Sequence, residues 1–255
     1  SRGGIKPSKY LNIEASNRLD RDISAGISGN INKLYFATNY NHSEGPGISA
    51  AEKSLGYEEN DSYNIDSANI ILDYEYNSST EITLTSRVFT SELEEDDAPL
   101  GPIYDADRQT NLIDWQSALK LIKDFKAFSI ETSLSIAKAR RYQLKEDIKF
   151  RFYIADMNTG KLQVNIPVSE AEKLILGVET ERSHIETQDE YNASDFKVSS
   201  SSTFISYTNN TIKNLFIDSS FRANQHDMYG LSATYRIAGS YIISNSGFRL
   251  HSSYG

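Results

Sequence analysis

The stretch Ala68-Asn69-Ile70-Ile71-Leu72-Asp73-Tyr74-Glu75-Tyr76 decides the fold. Ala68, Ile70, Leu72, Tyr74 and Tyr76 fall on every second position, and Asn69, Ile71, Asp73 and Glu75 fill the gaps. A period of two places the two sets on opposite sides of a β-strand, whereas a helix repeats at three and four. The same beat runs outward in both directions. Ile23, Ala25, Ile27 and Ile31 alternate with Ser24, Gly26, Ser28 and Asn30, and Leu34, Phe36 and Tyr40 follow. Phe128, Ile130, Leu134 and Ile136 repeat it, as do Leu231, Ala233, Tyr235, Ile237 and Tyr241. Only a short piece around Ser169 to Lys173 reads as helical. The chain is all-β, with about thirteen strands.

The intervening set is polar and often charged: Asp73, Glu75, Arg87, Glu131, Glu179, Glu181, Asp218, Arg222, Arg236 and Arg249. A soluble sandwich alternates in this way too, with its polar face in water. Two features oppose a sandwich. The strands run to roughly ten residues or more against the usual five to six. Tyr, Phe and the single Trp115 gather toward strand ends, as in the aromatic girdles of a transmembrane barrel. Polar turns at Asn30–Lys33, Asn77–Thr80, Lys123–Lys126, Ser169–Glu172, Thr208–Thr211 and Ser244–Gly247 alternate with longer segments. The longer segments are Glu44–Ser62, Glu92–Gln109, Gln143–Gly160, Ile185–Lys197 and Ala223–Tyr229. Short turns on one side and long loops on the other are what an up-and-down outer-membrane barrel produces. On that reading Leu72 faces lipid and Asp73 a watery interior, so Asp73→Arg is expected to be nearly neutral while Leu72→Arg is costly.

Composition removes other classes. The 255 residues carry a net charge of −9, which repels nucleic-acid phosphate. Cys is absent, and with it disulfides, thiolate zinc sites and Cys nucleophiles. No run approaches the roughly 18 apolar residues of a membrane helix. The four His are scattered without metalloprotease spacing, and Gly45-Pro46-Gly47 lacks the Lys of a phosphate loop.

The stretch Gly47-Ile48-Ser49-Ala50-Ala51, followed by Gly56-Tyr57-Glu58-Glu59-Asn60-Asp61-Ser62-Tyr63, resembles the second extracellular loop of TonB-dependent outer-membrane receptors. In the cobalamin-receptor-like branch a DGISAA stretch followed by DGYENT stands there. The tail Tyr235-Arg236-Ile237-Ala238-Gly239-Ser240-Tyr241, with Gly247-Phe248-Arg249-Leu250 and His251 to Gly255, is similar to the mid-barrel segment before that family's GTGFKAP motif. The resemblance implies thirteen strands of a barrel of about 22. Residues 1–8 are then a linker from a plug domain, and 9–255 the N-terminal part of the barrel domain. It further implies import of a scarce chelate (a siderophore, a corrinoid or the like) across the cell outer membrane. The partners implied are outer-membrane lipid and lipopolysaccharide, and an energy-coupling complex reached through the N-terminal region. The rival reading is a soluble β-sandwich or adhesin-like binding module.

The densest charge cluster is Glu92, Glu94, Glu95, Asp96 and Asp97, joined by Asp105 and Asp107 in the same expected loop, with Glu58, Glu59 and Asp61 in the neighbouring loop. Calcium takes six to eight oxygen ligands, which two acidic loops can supply. Some cobalamin receptors bind calcium in these loops, so the resemblance points to Glu59, Asp61, Asp96 and Asp97 as ligands, with Tyr57 and Tyr104 facing cargo. A solvated acidic edge is the plain alternative. Asp96-Asp97 and His226-Asp227 also suggest the Asp pair and Asp–His pair of outer-membrane aspartyl-type proteases, although those barrels close at fewer strands; the expectation is a non-enzyme. The basic run Lys138, Arg140, Arg141, Lys145, Lys149 and Arg151 is expected at the upper end of one strand, where lipopolysaccharide phosphates or an anionic chelate would be met.

Overall fold

The computed structural model describes residues 6–48, 60–97, 104–243 and 247–255, with backbone only at 97 and 104–107. Thirteen strands follow one another: β1 (Ser8–Ala15), β2 (Arg21–Ile31), β3 (Leu34–Gly45), β4 (Tyr63–Asn77), β5 (Thr80–Asp97), β6 (Tyr104–Asp124), β7 (Ser129–Lys145), β8 (Ile148–Ser169), β9 (Glu172–Gln188), β10 (Ala193–Asn209), β11 (Leu215–His226), β12 (Gly230–Ile242) and β13 (Arg249–Tyr254). They form one sheet in sequence order, each strand antiparallel to its neighbours, with β1 and β13 at the two edges. A sandwich needs two packed sheets. The single sheet overturns that alternative.

Register turns the sequence alternation into faces. Phe36, Leu72, Leu84, Leu119, Leu134 and Gly160 oppose one another across successive strands, and the row continues through Thr180, Ser201 and Gln225 to Leu231. One residue along, Tyr35, Asp73, Thr83, Lys120, Ser133, Lys161, Glu179, Ser202 and Asn224 form the matching row on the other face. The sheet therefore has an apolar face and a polar face. Ile70, Leu119, Leu134, Leu162, Val178 and Phe221, all on the apolar face, stand exposed, so nothing among the described residues covers them. The polar face is the crowded one. Asp73, Ser91, Thr110 and Ser202 all lie on it, and each is only 5–6% exposed. Asp73→Arg is thus not the neutral change that alternation alone suggests, because Asp73 is buried.

The longer connections differ from expectation. Between β7 and β8 only Glu146 and Asp147 intervene, both at positive φ (50° and 62°), the signature of a type I′ hairpin turn. The expected loop Gln143–Gly160 is therefore a hairpin of two long strands. Likewise Ile185–Lys197 shrinks to residues 189–192 and Ala223–Tyr229 to 227–229, and within Glu92–Gln109 strand extends to Asp97 and resumes at Tyr104. β8 alone has 22 residues, against the 9–11 or so that cross a bilayer. Toward the ends of such long strands the apolar beat fades, and the sequence reads as loop. The helical piece at Ser169–Lys173 is a turn and a strand start, where Ser169 Oγ donates to Glu172 Oε2 at 3.1 Å and accepts the Ala171 N–H at 3.2 Å.

Between β3 and β4 the chain returns over Gly47 at φ 63°, where a Cβ would come within 1.8 Å of the Asp61 carbonyl oxygen. Only glycine allows that approach. Residues 46–62 stay the longest connection, on the same edge of the sheet as 98–103, 146–147, 189–192 and 227–229.

Candidate functional site

The polar face of β8–β11 holds the most organised group of side chains. Register sets Phe204 directly opposite Gly177, and the ring lies on that glycine's backbone, filling the space a side chain would take. Lys161 Nζ lies 5.5 Å from the ring centroid and Arg222 Cζ 6.0 Å, both within cation–π range. Arg222 donates to Glu179 Oε1 at 2.6 Å and to Asn224 Oδ1 at 2.7 Å, which fixes the guanidinium plane. Beside them Ser202 Oγ is buried without a hydrogen-bond partner. Lys161 has no ion pair among the described residues, so the cluster presents one unneutralised cation and one unspent hydroxyl.

Farther along the same face, β11–β13 enclose a hollow of about 730 Å³ lined by Phe216, Asp218, Arg236, Arg249 and His251, with the Arg249 guanidinium 5.9 Å from the Phe216 ring. Register puts Asp73, Glu75, Glu81, Asp124 and Glu131 on this face of β4–β7. The polar wall therefore carries an excess of acids on β4–β7, where Arg87, Lys120 and Arg141 also stand, and an excess of bases on β8–β13, where Glu179 and Glu181 also stand, so its second half offers anions a lined surface within a chain that is acidic overall. The sequence singles out Glu179, Arg222, Arg236 and Arg249 but not Lys161, Ser202 or Phe204. The one local clue is a glycine in mid-strand, Gly177, which marks a close approach.

The expected calcium ligands fall differently. Glu59 and Tyr57 lie outside the described residues. Asp61 stands just before β4, and Asp96 lies at the end of β5; Asp97 pairs with Tyr104 in backbone register, while the side chains of both lie outside the description. Among the described residues no group of three or more His, Asp or Glu side chains could hold a metal. Glu94 has a structural task instead: its carboxylate accepts the Ser62 N–H at 2.8 Å, and its own N–H donates to the Ser62 carbonyl at 3.0 Å. The basic run is divided, with Lys138 and Arg140 on the apolar-face rows and Arg141 on the polar face, while Lys149 stacks on Tyr142 at 3.5 Å.

The Asp–His pair is a turn clasp. His226 Nδ1 accepts the N–H groups of Met228 and Tyr229 at 3.1 and 3.3 Å, and the ring packs on Tyr229 at 4.7 Å. His226 Nδ1 also lies 3.4 Å from Asp227 Oδ1, but its hydrogen bonds go to the turn. Asp227 instead accepts the Ser199 N–H at 2.7 Å, and this bond holds its carboxyl below the ordinary range. Asp189 caps its hairpin similarly, through the N–H groups of Tyr191 and Asn192. Asp96 sits on β5 and His226 on β11, with β6 to β10 between them, so the two protease pairs do not meet.

No family model matches the sequence, and no curated protein matches it. Solved structures do. A mutant of the ferric enterobactin receptor of Pseudomonas aeruginosa superposes with a TM-score of 0.74 at 11% identity, over 96% of this chain and 43% of that one. The copper transporter OprC gives 0.70 at 11%, covering 98% and 44%. The iron transporter FrpB of Neisseria meningitidis gives 0.69 at 11%, covering 97% and 44%. The fold is that of a section of such barrels, and the chain spans less than half the length of these structures.

Proposed function

We propose that the chain is part of a TonB-dependent receptor in the bacterial outer membrane, one that imports a small-molecule chelate and is not an enzyme. The observation that carries this reading is the two-faced sheet: a continuous, exposed apolar face backed by a charged, hydrogen-bonded polar face, in strict up-and-down order. A bilayer accepts such a sheet only as a barrel wall, since open edges cannot stand in lipid. On this reading residues 1–8 link to a plug and 9–255 begin the barrel. The plug side couples to an inner-membrane energy source, with lipid around the apolar band and lipopolysaccharide at its outer margin. The arginines and Lys161 on the lumenal wall favour an anionic cargo such as a siderophore over a cationic one. The neighbouring structures include receptors and transporters for iron, copper and peptide, so the cargo is the open part of the proposal.

Uptake of a radiolabelled ferric catecholate by cells expressing the full-length receptor tests it. Uptake that vanishes when the energy-coupling protein is deleted is expected. Recovery of the protein in the soluble fraction would overturn the reading.

A further inference from the structure

Three cations of the polar face descend in steps. Lys161 shares a row with Glu179, Ser202 and Asn224. Arg222 stands on the next row, with Gly177 and Phe204, and Arg236 on the one after, with Ile175, Ser206 and Ser220. Successive rows on one face are about 6.8 Å apart along the strand. Each step therefore carries positive charge that far toward the edge bearing the 170–171 and 210–214 connections, away from the longest connection, 46–62. Glu179 neutralises Arg222 at 2.6 Å, whereas Lys161 and Arg236 make no ion pair among the described residues.

The steps end at the hollow of β11–β13. Arg249 donates to Ser240 Oγ and its guanidinium lies 5.9 Å from the Phe216 ring, so the side chain folds back over the row of Phe216, Ser240 and His251. Arg236 stands on the other side of the hollow, and Ala238 and Ser253, both small, form the row between. Asp218 is the one acid lining the space among the described residues, and its carboxylate accepts a hydrogen bond from Thr208 Oγ1 at 3.2 Å. Two guanidiniums, an imidazole and the hydroxyls of Ser240 and Ser253 thus outweigh one carboxylate around about 730 Å³. A guanidinium fork takes the oxygens of a carboxylate or phosphate in pairs.

We propose that this hollow is an oxyanion-binding site, in which a carboxylate or phosphate group sits between Arg236 and Arg249 with the Ser240 and Ser253 hydroxyls beside it. The proposal rests on the import reading above and deepens it. On that reading the long connections face outward, so the hollow lies at the inner end of the lumenal wall. It is a second stop for an anionic cargo, one reached after the cluster of Lys161 and Arg222.

Titration calorimetry on the purified full-length receptor tests this, with tricarballylate as the carboxylate probe and pyrophosphate as the phosphate probe. The parent protein is expected to bind at least one of them, and the tighter of the two identifies the source of the oxyanion. Arg236→Gln and Arg249→Gln should each weaken that binding about tenfold or more, the usual worth of a charge-assisted hydrogen bond. Asp218→Asn removes the opposing charge and should tighten it about twofold or more. Arg87→Gln, which removes a guanidinium from the same face on β5, should leave it unchanged. Heat-modifiable gel mobility verifies that each variant is a folded barrel. No binding of either probe by the parent protein, or equal affinity across the variants, would overturn the proposal. Binding that falls with Lys161→Gln but not with Arg236→Gln would place the anion in the mid-wall cluster and overturn it too. Because calorimetry does not depend on transport, absence of the receptor from the outer-membrane fraction would count instead against the import reading.

Discussion

Phe204 and Gly177, directly opposed on β10 and β9, occupy one side chain's worth of space between them: the ring takes the place where a Cβ on Gly177 would sit, 2.2 Å from Phe204 Cζ. Gly177→Ala must displace the ring, and with it the packing of Lys161 and Arg222. The expected loss is about 1–3 kcal/mol, the usual range for overpacking, read by urea unfolding of the receptor in lipid vesicles. Phe204→Leu combined with Gly177→Ala should recover part of it. An unchanged midpoint for the single variant would show that the ring is free to leave.

The two faces differ in their tolerance of charge. Leu72→Arg on the apolar face should cost about 2–4 kcal/mol at mid-bilayer depth. Ser232→Arg, exposed on the polar face, should cost less than about 0.5 kcal/mol. Equal penalties in folding titrations would remove the assignment of faces.

Acid should loosen the β11–β12 hairpin. The Ser199 N–H bond lowers the Asp227 carboxyl below its ordinary value of 3.8, so the carboxylate's contribution is complete above that value. It is lost as pH falls through the depressed folded value. Hydrogen exchange at Ser199 should therefore quicken below about pH 3.8 in the parent protein and be fast at every pH in Asp227→Ala. Identical pH profiles for the two proteins would contradict this.

Calcium binding has a direct test. If Glu59, Asp61, Asp96 and Asp97 bind the ion, limited proteolysis within 46–62 and 98–103 should slow in millimolar calcium and recover with chelator. Identical cleavage in both leaves the run a solvated acidic edge, with Glu94 tying Ser62 to β5 as its one clear task.

Much of the wall was legible. The beat at Ala68–Tyr76 gave the face of β4, and register carried it across the sheet, because residues two apart share one side and a one-residue slip would exchange the faces. Legibility fails where that contrast fails. Lys145 to Phe152 is mixed on both faces, so a two-residue turn at Glu146-Asp147 reads as part of a long loop. The polar-wall cluster was partly hidden for another reason: Lys161, Gly177, Ser202 and Arg222 are far apart in sequence, and only strand register brings them together.

The Glu146-Asp147 hairpin has a mechanical meaning. Its two strands are the same strands that form the wall below, bonded rung by rung from Ser129–Asn165 up to Lys145–Ile148 with a single irregularity near Gln143. A displacement at such a tip is carried down as the tilt of a stiff ribbon and is not absorbed by a slack loop. The tip over β7 and β8 acts as a lever arm rooted in the sheet, and amide exchange there should slow steadily from tip to base, with no sharp step along the way.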